Sequence, residues 1–182
     1  NATTKPQLTR GLFIFLGTAF FYIAITEIPL ANALSLLLVA PIIVVVLSSF
    51  ILKERITPIK IICVLIGFVG TLLVIQPGFT DFNLYSLYAL ISGLFYAMYL
   101  IYTRKVNFSS DSIVTLSYST IPGAIIMTLL IPFYWESIPN LSQIIILGCI
   151  GPVVIISHFF FIKAYQYAEA STLAPIHYFE IV

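Results

Sequence analysis

Long apolar runs separated by short polar clusters dominate this chain. A helix needs about 20 largely apolar residues to cross the hydrocarbon core of a bilayer. Six stretches meet that length: residues 11–28, 31–52, 57–76, 84–104, 112–133 and 142–165. Charge, Pro, Gly or Asn clusters close each of them. A seventh run, 170–182, has only 13 residues, about 20 Å at 1.5 Å per residue, and is expected to continue past Val182. The runs lack the alternating ten-residue pattern of a membrane barrel. The pattern therefore predicts an all-α fold, a polytopic transmembrane helix bundle.

The polar positions between the runs set a direction. Basic residues accumulate on the cytoplasmic side of membrane proteins, and here they follow one alternation. Lys5 and Arg10 precede the first span, Lys53, Arg55 and Lys60 follow the second, Arg104 and Lys105 follow the fourth, and Lys163 ends the sixth. The opposite loops hold Glu27, Asp81 and Glu136 and no Lys or Arg. The first span is thus expected to run from inside to outside.

Composition agrees with a bilayer as solvent. Hydrophobic residues make up 60% of the chain, charged residues 8%, and the mean hydropathy is +1.10; a water-soluble domain could not cover itself with so little polar surface. The net charge of +1 and the absence of a Lys/Arg tract argue against a nucleic-acid partner. Cys63 and Cys149 sit in separate apolar runs, where thiols behave as small hydrophobes. Residues 1–10 are polar and lack the charged-then-apolar order of a signal peptide, so the chain reads as a fragment that starts in a loop. No GxxxxGK[ST] loop occurs, which disfavours an ATP-driven pump, and no cofactor is implied.

Small residues let membrane helices approach closely. Cys63, Gly67 and Thr71 recur every four residues with Gly70 beside them, and Gly93 with Ala97 repeats that spacing. Pro41, Pro122 and Pro152 fall inside spans and free carbonyls there. Residues 20–42 (FFYIAITEIPLANALSLLLVAPI) have a weaker echo in 159–182 (FFFIKAYQYAEASTLAPIHYFEIV). Both run from an aromatic cluster through a polar turn and a small-residue stretch to Ala-Pro-Ile. Under the topology above the two copies are inverted, which is a transporter signature.

Three passages carry a resemblance to the drug/metabolite transporter superfamily, and within it to the EamA-type carriers. FFYIAITEIPLANALSLLLVAPIIVVVLSSFILKERIT (20–57) resembles the pattern of an aromatic-Ala helix, a Pro-Leu-Ala turn, a helix with a mid-membrane Pro and a terminal Leu-x-Glu-Arg. LIGFVGTLLVIQPG (65–78) is similar to the Gly-Phe-x-Gly-x-x-Leu helix that follows, and AEASTLAPIHYFEIV (168–182) to the matching helix of the second repeat. The resemblance implies ten helices in an inverted five-plus-five repeat, truncated here at both ends to helices three to nine. Residues 1–78 would be the C-terminal part of the first repeat and 79–182 the N-terminal part of the second. One departure is Lys53, where the family commonly has Gly. The resemblance also implies a secondary carrier in a bacterial inner membrane, with a small-molecule solute and the lipid bilayer as partners and a homodimer left open. Solutes of such carriers include riboflavin, S-adenosylmethionine, amino acids and drugs.

Ionisable residues at membrane depth are expensive and mark candidate sites. Glu180 lies about eleven residues into the seventh span, with His177 one turn earlier on the same face and Tyr178 adjacent. The pair can hydrogen-bond a polar solute or accept a driving proton; the plainer reading is packing. Metal ligation by His-x-x-Glu lacks enough ligands in one pair. His158 stands beside Phe159, Phe160 and Phe161, as pore lining or as a packed core residue. Tyr85, Tyr88, Ser92, Tyr96, Tyr99 and Thr103 form one stripe of the fourth span; Tyr85 and Tyr88 suit the interfacial belt, which leaves Tyr96 and Tyr99 for a cavity wall. Tyr22 and Asn32 are weaker candidates of that kind. Glu54 and Arg55 read as a cytoplasmic cap or ion pair. An intramembrane enzyme is hard to assemble from two histidines and few acids, and a non-transporting scaffold or receptor remains the other alternative.

Overall fold

A computed structural model describes residues 4–78, 83–107, 111–134 and 140–181. Asp81, Glu136 and Val182, used above for orientation and span length, lie outside the described residues. Among those described there is no strand, and the elements are α1 (Thr4–Ala24), α2 (Leu30–Leu37), α3 (Ala40–Ile51), α4 (Pro58–Ile75), α5 (Leu84–Asn107), α6 (Ser112–Tyr134), α7 (Leu141–Tyr167), α8 (Ala170–Leu173) and a final 3₁₀ helix (Ala174–Ile181). Six helical segments are long and apolar enough to cross a membrane, with α2 and α3 together forming one of them. The chain is a multi-pass integral membrane protein.

Local chemistry sets the ends. Thr57 caps α4 by accepting from the Lys60 amide at 3.4 Å, with Pro58 in the first turn; Asn140 caps α7 by accepting from the Gln143 amide at 3.0 Å. These are the short side-chain acceptors that orphan amides at a helix start require. Pro41 does not kink a continuous helix. It sits in the first turn of α3, and the chain breaks before it at Leu38 and Val39. Pro175 repeats the event, because α8 ends at Leu173 and the 3₁₀ helix starts on Ala174. Both Ala-Pro-Ile sequences therefore open a new helical segment. The seventh span, expected as an α-helix from Ala170, is instead one α-helical turn followed by 3₁₀ geometry.

The interior forms where α1 lies along α5, the most extensive contact in the molecule, with α2, α3 and α6 joining. Small residues allow the approach. A Cβ on Gly93 would stand 2.9 Å from the Leu37 carbonyl oxygen, and Ser92 donates to the Gly17 carbonyl at 2.7 Å. On α4 the small-residue stripe admits a side chain rather than a helix, since the Tyr178 ring fills the space above Gly67 while Gly70 faces open space. Outside this interior, α6 and α7 are apolar and exposed along most of their length, as at Ile125, Leu129, Ile146 and Ile155. That surface suits hydrocarbon.

Several basic residues expected in loops lie inside helices instead, Lys5 and Arg10 in α1 and Arg104 and Lys105 in the last turn of α5. Arg10, expected in a cytoplasmic loop, is inside α1 and fully buried. Its guanidinium donates to Thr103 Oγ1 at 3.1 Å, to the Thr115 carbonyl at 2.5 Å and to Ser119 Oγ. Gln7, one turn earlier, donates to Thr115 Oγ1 at 2.9 Å. Arg10 still marks the end where α5 finishes and α6 begins, so the alternation of basic residues stands. What changes is its environment: hydroxyls and a carbonyl from neighbouring helices replace water.

Candidate functional site

The 3₁₀ helix positions the candidate acid. With three residues per turn, side chains three apart eclipse one another. His177 and Glu180 are brought into register in this way, with His177 Nδ1 3.2 Å from Glu180 Oε1. His177 Nε2 lies 3.0 Å from the Tyr165 hydroxyl of α7. With a neutral imidazole and an ionised Glu180, one arrangement satisfies both contacts: Nδ1–H donates to the carboxylate and Nε2 accepts the Tyr165 O–H. His177 and Tyr165 are buried, whereas the Glu180 side chain is 57% exposed. The carboxylate is thus the open end of a relay whose other members are packed.

Aromatic rings enclose the buried members. Tyr96 stands edge-on to His177 with ring centroids 6.0 Å apart, and Phe161 does the same at 5.6 Å. Tyr99 lies parallel to Phe161 at 6.0 Å and stacks on Tyr96 at 6.1 Å. Behind Tyr99 sits Arg10, its guanidinium carbon 5.2 Å from the ring centroid. Such offset and edge-on contacts lock ring positions, and a cation over a ring adds attraction.

Two cavities meet at Glu180. One of about 440 Å³ lies between α1, α2, α5 and the 3₁₀ helix, and Thr18, Phe21, Tyr22, Ser92, Tyr96 and Glu180 contribute to its wall. Another of about 330 Å³, between α7 and the 3₁₀ helix, takes in Phe161, Tyr165, His177 and Glu180. An apolar pocket with a few convergent polar groups is the usual form of a small-molecule site. Among the described residues no group of three His, Cys, Asp or Glu side chains converges as metal ligands would.

The other residues selected from sequence distribute as follows. Tyr22, Tyr96, His177 and Glu180 gather around the two cavities, and Tyr99 is the layer behind Tyr96. His158 is half-buried on α7, with Phe161 between it and His177. Tyr178 faces the other way, over Gly67 and 6.3 Å from the Phe68 ring, and lines a third, apolar groove on α4. The Asn32 side-chain Oδ1 accepts from the Gly78 amide at 2.9 Å and so ties down the turn after α4. Sequence reasoning missed Tyr165 and Phe161. Their spacing of four from each other, and of three from His158 to Phe161, is a helical stripe that a closer reading of the sixth span contains.

Residues 3–76 match the EamA-like transporter family. Across 99% of its length the chain is 29% identical to a protein named S-adenosylmethionine uptake transporter from Rickettsia conorii. It is 23% identical over 87% of its length to a riboflavin transporter from Brucella anthropi, and 26% identical over 96% to a pseudopaline exporter from Pseudomonas aeruginosa. The chain spans 62%, 58% and 62% of those three relatives. No solved structure matches it.

Proposed function

We propose that this chain, an EamA-type member of the drug/metabolite transporter superfamily, is the larger part of a secondary carrier that moves a small organic solute by alternating access around Glu180. The family and the names of its relatives point to a transporter rather than an enzyme, and bacterial relatives together with six spans suit an inner membrane. The observation that carries the reading is the convergence of two cavities on one carboxylate, backed by the His177 and Tyr165 hydrogen bonds, in a run whose apolar pattern is expected to enter the bilayer. An acid in such a position is a functional site by default.

In this reading a planar or apolar portion of the solute lies along Tyr22, Phe21 and Tyr96, and a cationic or donor group meets Glu180. The relatives' names include S-adenosylmethionine, riboflavin and pseudopaline, and the first two carry planar heteroaromatic rings. The two repeats, 1–78 and 79–182, rock about this site. The paired helix breaks at Ala40-Pro41-Ile42 and Ala174-Pro175-Ile176 support that division, because broken helices at corresponding positions of two halves mark transporter sites.

The deciding experiment uses the full-length protein in liposomes, with uptake measured across vitamins, nucleosides, amino acids and cationic drugs. Glu180→Gln is expected to abolish uptake of the accepted solute, or its pH dependence, while expression stays normal. Unchanged transport would remove Glu180 from the mechanism, and no uptake of any solute by the parent would favour a scaffold or receptor.

A further inference from the structure

A second polar assembly occupies the end of the bundle where α3, α5 and α7 finish and α4 and α8 begin. Lys53 takes a left-handed backbone, φ 56°, and the turn it makes returns the chain so that the Glu54 amide donates to the Ser48 carbonyl at 3.3 Å. Glu54 is thereby aimed at α8. Its Oε1 accepts from the Ala170 amide at 2.8 Å, and its Oε2 from the Ser171 amide at 2.9 Å and the Ser171 hydroxyl at 2.6 Å. Lys60, in the first turn of α4, pairs with Glu169 at 2.5 Å and donates to Ser171 Oγ at 2.8 Å. From α5, Arg104 donates to the Tyr165 carbonyl at 2.7 Å and lies 4.0 Å from Glu54, and Asn107 donates to the Ile162 carbonyl at 2.7 Å.

These contacts differ from surface ion pairs. The Glu54, Arg104 and Lys60 side chains are only 6%, 13% and 16% exposed, so charge-assisted bonds here are stronger than in water. They also differ from apolar core packing, since every partner is a polar group for which water is a chemical substitute. Their targets matter most. Glu169, Ala170 and Ser171 begin the segment whose continuation carries His177 and Glu180. The 440 Å³ cavity extends the other way, from Glu180 and Tyr96 toward Tyr22 and Ile25 near the far end of α1.

We infer that Glu54 and Lys60 are positioning residues of a gate, closed in this structure, that seals the solute site from the cytoplasmic side by tying the first proposed repeat to the start of α8. This rests on the carrier reading and on the orientation given by the basic residues. Opening requires Glu54 to release the α8 amides and Lys60 to release Glu169. The left-handed Lys53 is the hinge point that lets one short turn present Glu54.

The test is side-specific labelling of the full-length protein in membrane vesicles of both orientations. Cys63 and Cys149 are replaced by Ala, Thr18→Cys reports from the cavity, and a membrane-impermeant maleimide is the probe. The parent should label from the outer face and resist labelling from the cytoplasmic face. Glu54→Ala or Lys60→Glu should raise the cytoplasmic labelling rate about tenfold, the scale of a coupling between two conformers. Adding Glu169→Lys to Lys60→Glu should restore protection, which a general loss of folding would not. Cytoplasmic labelling that is equal to the outer rate in the parent, or unmoved by the single variants, or unrestored by the charge swap, overturns the gate. Labelling needs no solute, so that failure leaves the carrier reading standing, whereas gated labelling without any solute uptake would overturn the carrier reading alone.

Discussion

Glu180 is distinguished from every other acid in the described chain by what stands behind it: a buried imidazole and a buried phenol that fix its orientation. Tyr165→Phe tests that support, because it removes one O–H and no ring. It is expected to cost about 1 kcal/mol, the net worth of a hydrogen bond, read from thermal unfolding in detergent, and to lower the uptake rate without abolishing it. Arg10 is a different case. Its planar fork meets three acceptors from α5 and α6, which a lysine cannot reproduce, so Arg10→Lys should destabilise by about 1–3 kcal/mol. Lys53 runs opposite. A non-glycine residue at φ 56° costs roughly 1–2 kcal/mol, and Lys53→Gly should raise the unfolding temperature.

At the scale of elements, closeness of approach decides which substitutions matter. Gly93 and Gly70 look alike in sequence, each a glycine in an apolar helix. Gly93→Val must displace α2, because its Cβ would meet the Leu37 backbone, and overpacking of this kind costs about 1–3 kcal/mol. Gly70→Ala meets nothing within 4 Å and should be neutral or gain up to about 1 kcal/mol of helix propensity. Parallel unfolding measurements on the two variants check both. The helix breaks belong to this scale as well. Proline lacks the amide that would continue the preceding helix, so Ala-Pro-Ile predicts a discontinuity; that the second break leads into 3₁₀ geometry, with His177 and Glu180 in register, is visible only in the folded segment.

For the whole molecule, the cavity and the polar assembly lie toward opposite ends of the bundle, with Glu180 between them. If the proposed function holds, a solute that binds only the folded protein stabilises it by about 2.7 kcal/mol at a hundred times its dissociation constant. The accepted solute should therefore raise the unfolding temperature of the full-length protein, and Glu180→Gln should reduce that shift. The hydrophobic pattern by itself determined that the chain is helical, crosses the membrane repeatedly and turns in the short polar clusters between its apolar runs, because helix length against bilayer thickness and the chemistry of turn residues are local properties. The three-residue spacing of His177 and Glu180 suggested a shared face, and the 3₁₀ geometry that brings them to 3.2 Å came only with the fold. Tertiary structure alone decided the rest. Tyr165, Phe161, Tyr96 and Tyr22 come from three helices, Arg10 leaves its loop for the interior, and Tyr178 turns away from its neighbours in sequence. Such meetings depend on how helices rotate and approach one another, and periodicity within a single helix carries no information about its partner.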